Sequence, residues 1–133
     1  MVALVIFAVI ALRVVVWPWL FPSNGVIRAS LEELREAPQT GLPYVVKLGA
    51  PGCVYCRQMT PIWEELAQLY PNQVLFYDVD LSKHPEVSDL FGVRYIPTSV
   101  FFVAGGDKVH TEVGYLDSDA VVQLMKEHGL IDE

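Results

Sequence analysis

The chain is poor in the residues that most often declare a function. It holds two cysteines and three histidines in 133 residues. Two thiols cannot complete the four-ligand shell of a structural zinc site. His84, His110 and His128 stand far apart, without the close spacing that lets a histidine pair share a metal. Positive charge is scarce as well, with nine Lys and Arg against sixteen Asp and Glu and a net charge of −7. All the acidic residues, and eight of the nine basic ones, lie beyond position 25. So acidic a domain excludes nucleic acid as a partner, because that role needs a basic surface, and leaves protein partners open. There is no run of like charge, no internal repeat and no low-complexity tract.

What is abundant at the start is apolar side chain. Residues 2–21 carry no charge except Arg13 and end in Trp17-Pro18-Trp19-Leu20-Phe21. Twenty helical residues just span a hydrocarbon layer, and tryptophans suit its interface. The reading is a membrane anchor over 1–22 or a signal segment, with the buried first helix of a soluble domain as the bland alternative. Ser23-x-Gly25 has small residues at cleavage spacing. Against cleavage, no basic residue precedes the run and Arg13 interrupts it; no cysteine follows it closely enough for a lipid anchor. Residues 23–25 form a linker, and one domain follows over 26–133.

Within that domain, Cys53-Val54-Tyr55-Cys56 specifies chemistry. It follows an apolar run, Tyr44–Ala50, and opens a stretch of helical period with Met59, Ile62, Trp63, Leu66 and Leu69 on one face. A Cys-x-x-Cys at a strand-to-helix junction sets its first sulfur at a helix N-terminus, where free N–H groups favour a thiolate. The second cysteine, one turn on, can close a small disulfide ring, and the pair is suited to thiol–disulfide exchange. A metal half-site or an inert disulfide are the rival readings. A copper carrier would want a third soft ligand, and Met59 reads as core instead.

The remaining pattern orders the elements. Val26-Ile27 begins a short strand, and Ser30 with Glu33 makes a capping box for a helix led by Leu31 and Leu34. Pro38 to Pro43 reads as loop, Tyr44–Ala50 as a central strand, and Cys53–Tyr70 as a helix kinked at Pro61. A strand over Gln73–Asp80 and a helix over Pro85–Phe91, ended by Gly92, come next. Thr98–Ala104 and Lys108–Tyr115 flank a Gly105-Gly106 hairpin turn. A last helix, capped by Asp117 or Ser118, runs to about His128, with Val121, Val122, Leu124 and Met125 turned inward. This order predicts an α/β domain with a mixed central sheet flanked by helices on both faces, behind an N-terminal hydrophobic helix.

Over about residues 26–133 the chain resembles the thioredoxin family. The resemblance rests on the cysteine pair with Pro61 eight residues after Cys53, on Val79-Asp80 followed by Lys83-His84-Pro85, and on Phe91-Gly92-Val93-Arg94-Tyr95-Ile96-Pro97-Thr98 with a later Val113-Gly114. It implies a thioredoxin fold and a protein-disulfide oxidoreductase, expected to run as a reductase on protein disulfide substrates. It needs no cofactor or metal, but an outside dithiol or disulfide partner must reset the pair. The alternative is a client-holding or metallochaperone module on the same fold. The resemblance implies a cis bond at Ile96–Pro97, and a substrate strand laid beside Cys53 against Ile96, Pro97, Val54 and Tyr55. Four positions depart from the family pattern: Val54-Tyr55 replaces Gly-Pro, Gly52 replaces tryptophan, and Lys47 replaces a buried aspartate. Cys53 is expected to attack and Cys56 to resolve. Lys47 is expected either to pair with Asp78 on the next strand, as a structural residue, or to serve as the acid–base group at Cys56. Such chemistry belongs outside the cytoplasm, so the domain is expected on the outer side of a membrane, or exported after cleavage.

Overall fold

The computed structural model describes residues 1–11 and 25–132. Helix α1, Val2–Ala11, holds the first half of the apolar segment; the second half, with Arg13, Trp17 and Trp19, and the joint before Gly25 lie outside the described residues. The domain then runs β1 (Ile27–Arg28), α2 (Leu31–Glu36), β2 (Tyr44–Gly49), α3 (Val54–Leu69), β3 (Leu75–Asp80), α4 (Glu86–Phe91), β4 (Thr98–Phe102), β5 (Lys108–Val113) and α5 (Ser118–Glu127). The strands form one sheet in the order β1-β3-β2-β4-β5. The β1–β3 and β2–β3 pairs are parallel; β2–β4 and β4–β5 are antiparallel.

The alternation of β2 explains how helices come to cover both faces. All six of its residues are buried, as a central strand requires. Val45 turns to one side and packs with Phe76, Phe101, Met59, Trp63, Leu66, Val121 and Met125, under α3 and α5. Tyr44, Val46 and Leu48 turn to the other and pack with Leu34, Val79, Val87 and Val100, under α2 and α4. Each face removes a continuous apolar layer from water, the dominant favourable term in folding. Trp63 anchors the first layer: its ring meets Phe76 edge-on at 5.7 Å and its Nε1 donates to Tyr77 O at 3.1 Å.

Several expectations from sequence are corrected. Leu69 is 59% exposed, because on a 3.6-residue helix it lies well round from the Met59–Trp63–Leu66 stripe; Ala67 takes the inner position. The stretch after α2 is a 3-10 helix over Ala37–Thr40 rather than plain loop, with Pro38 at its start and Gly41 left-handed at φ 74°; proline's fixed φ and glycine's freedom suit those places. The strands stop short of their apolar runs: β3 begins at Leu75, β4 ends at Phe102 and β5 ends at Val113. Gly105 and Gly106, both at φ 94°, make the β4–β5 turn.

Candidate redox site

The site lies where β2 ends and α3 begins. Gly49 closes β2, Ala50-Pro51-Gly52 turn the chain, and Cys53 caps the helix at φ −87°, ψ 116°. The Cys53 sulfur accepts from the Cys56 backbone N–H at 3.2 Å, one of the N–H groups a helix leaves free in its first turn. The two sulfurs are joined, with Cα atoms 5.2 Å apart, inside the span a disulfide needs. Cys53 is half-buried and Cys56 is buried. The Cys53 sulfur thus sits at the helix N-terminus within reach of solvent, and the Cys56 sulfur sits beneath it.

Cys56 packs directly against β2. A Cβ on Gly49 would lie 2.9 Å from Cys56 Sγ, so only glycine lets the helix approach this closely. Two residues back on the same face of β2 is Lys47, 2% exposed. Register brings it opposite Asp78 on β3 and Ser99 on β4. Its Nζ lies 3.3 Å from Asp78 Oδ2, 3.2 Å from Thr60 Oγ1 and 3.4 Å from Cys56 O. Arg28 on β1 flanks Asp78 at 3.4 Å from the solvent side. Ser99 Oγ is buried and makes no hydrogen bond among the described residues. Burial pushes the Lys47 pKa down from its ordinary value, and Asp78 pulls it back up in part. Lys47, Gly49, Cys56, Thr60 and Asp78 share a cleft of about 290 Å³ that opens past Arg28 and Arg57.

The other residues singled out in the sequence gather at the front of the site. The Ile96–Pro97 peptide is cis. Thr98, which starts β4, pairs with Leu48 next to the end of β2, and this brings Pro97 beside the turn that carries Cys53. Pro97 O accepts from Gly114 N at 2.8 Å. Val54, Tyr55 and Ile96 are exposed. Sequence reasoning passed over Thr60, Tyr95 and Tyr115. Tyr95 is 71% exposed beside Ile96, and the Tyr115 ring lies 6.4 Å from that of Tyr55. Thr60 had a signal, its place one turn beyond Cys56; Tyr115 had none, since it reaches Tyr55 from a distant element. Met59, the one soft ligand near the pair, is fully buried in the core and not at the site.

The comparisons with known proteins converge. The family model described as Thioredoxin matches residues 29–127. Thioredoxin 1 of Nostoc sp. is 32% identical over 94 residues, covering 71% of this chain and 87% of that protein. The thioredoxin of Borreliella burgdorferi is 34% identical over 85 residues, covering 64% and 72%. Among solved structures, a mutant thioredoxin from Halobacterium salinarum NRC-1 superimposes with a TM-score of 0.73 at 22% identity, over 83% of this chain and 96% of that one. Chloroplastic thioredoxin z superimposes at 0.71 with 19% identity, over 79% and 95%; at these identities both show the fold.

Proposed function

The chain belongs to the thioredoxin family and is a thiol–disulfide oxidoreductase, and we propose that it reduces protein disulfides with Cys53 as nucleophile and Cys56 as resolving thiol. The carrying observation is the difference in setting between the two sulfurs: Cys53 caps a sixteen-residue helix and is half-buried, whereas Cys56 is buried behind it. Cys53 thiolate attacks a client sulfur, forming the mixed disulfide and releasing the client's other thiolate. Cys56 thiolate then attacks Cys53 Sγ, the bond to the client breaks, and the Cys53–Cys56 disulfide remains. Two electrons pass to the client, and an outside dithiol returns them to the pair. Val54, Tyr55, Ile96 and Pro97 receive the client as an added extended strand. Lys47 acts on the resolving thiol from below.

In this reading the apolar segment 2–21 tethers the domain at the outer side of a membrane. Support comes from its composition and its Trp-Pro-Trp end. Among the described residues, no helix is long and apolar enough to cross a membrane.

The test of the thiol roles is trapping. Cys56→Ser should accumulate mixed disulfides with client proteins, visible as bands that reductant removes, and Cys53→Ser should accumulate none. Faster alkylation of Cys56 than of Cys53 at mildly acidic pH would reverse the assignment.

A further inference from the structure

We infer that Asp78 is a positioning residue that keeps Lys47 an ammonium under Cys56, so that Lys47 acts as a fixed charge and not as a proton carrier. The inference rests on the reading that Lys47 acts at Cys56, and it names what sets that action. Three acceptors surround Nζ: Asp78 Oδ2 at 3.3 Å, Thr60 Oγ1 at 3.2 Å and Cys56 O at 3.4 Å. An ammonium has three protons and no lone pair, which matches this set. A neutral amine would turn its lone pair toward one of these oxygens. Thr60 Oγ1 also lies 3.4 Å from Cys56 O, to which it can donate while accepting from Nζ.

The surroundings make Asp78 decisive. A buried ammonium without a counter-charge is strongly disfavoured and discharges instead. The charged or titratable groups facing Lys47 are Asp78 and Asp80 on β3, Arg28 on β1, and Cys56, Arg57 and Glu64 on α3; β4 offers only uncharged Ser99. Arg28 works against the ammonium. Among the described residues, Asp78 alone of the acids touches Nζ.

The resolving step then balances without Lys47 losing a proton. The Cys56 thiol gives its proton to solvent through the cleft. The thiolate, held by the ammonium, attacks Cys53 Sγ, and the departing client thiolate takes a proton from solvent.

Direct electrostatics and the positioning role predict opposite signs for one variant. If Asp78 acted on Cys56 only through its own negative charge, Asp78→Asn would lower the Cys56 thiol pKa. If Asp78 holds Lys47 charged, the same change discharges Lys47 and raises it. The titration is followed by ultraviolet thiolate absorbance in the full chain carrying Cys53→Ser. Asp78→Asn and Lys47→Met should each raise the Cys56 pKa by about one pH unit or more, and the double variant no further than either alone. Asp78→Glu and Lys47→Arg should restore it. In the chain with both cysteines, release of client from a preformed mixed disulfide should slow about tenfold at pH 7 in either variant, with the gap closing at high pH. A lowered or unchanged Cys56 pKa in Asp78→Asn, beside a raised one in Lys47→Met, overturns the positioning role alone. An unchanged pKa in Lys47→Met overturns the reading beneath it as well. Heteronuclear NMR of the Lys47 Nζ in the unaltered protein is independent of any variant's folding: a charged group at pH 7 is expected, and a neutral amine would refute the inference.

Discussion

At the scale of single residues, the site depends on where a side chain is missing as much as on where one is present. Gly49 has no Cβ, and Cys56 Sγ fills that space. Alanine there would place a carbon 2.9 Å from the sulfur and 3.0 Å from Cys56 Cβ, so the start of α3 must move away from β2. Overpacking of this kind costs about 1–3 kcal/mol. Gly49→Ala should lower the unfolding free energy by that amount, read as a lower denaturation midpoint, and slow disulfide turnover, because both cysteines ride on the displaced helix end. An unchanged midpoint would mean the helix withdraws from the strand freely. Lys47 is the counterpart, a charge where the strand is otherwise apolar. Its four-carbon stem packs within the sheet while its head finds Asp78, Thr60 and Cys56 O.

At the scale of elements, α5 meets its sheet face through a cap and a stripe. Asp117 caps α5 by accepting from Ala120 N at 2.8 Å. Val121 and Met125, four apart, then lie buried on one side. Replacing such a cap by alanine costs about 1 kcal/mol. Asp117→Ala should therefore lower the melting temperature by about 4 °C, followed by circular dichroism. A melting curve that did not move would assign the helix's stability wholly to Val121 and Met125. The β4–β5 hairpin shows the same economy. Gly106 turns at φ 94°, and its bare Cα faces Pro38, which a Cβ would approach to 2.7 Å. One glycine thus serves the turn and the contact with the 3-10 helix.

At the scale of the molecule, the chain joins a thioredoxin domain to an apolar N-terminal segment. Helices from within the domain cover both sheet faces, and among the described residues the two core clusters draw on residues 26–131. A chain starting at Val26 should fold, melt at the same temperature and reduce disulfides at the full chain's rate. The full chain should sediment with membranes and resist alkaline washing, and the shortened one should not. Recovery of a mature form beginning at Val26 would instead identify residues 1–25 as a cleaved signal.

The sequence by itself determined the element order, the helix-capping cysteine and the two-faced sheet, because each is written in local period. Apolar residues alternate or recur every three to four positions, and Ser30–Glu33, Gly92 and Asp117 mark helix ends without reference to distant parts. It also named Asp78 as the structural partner for Lys47, the one charge of an apolar strand, from the face that Asp78 shares with Asp80 on the next strand. Only the tertiary structure decided what surrounds Nζ. The count of three acceptors depends on the β2–β3 register, on the depth at which α3 crosses β2, and on the Thr60 rotamer, and none of these has a local signature. The same reason hid Tyr115 beside Tyr55. Contacts between distant elements are settled by packing, and packing is a property of the whole chain.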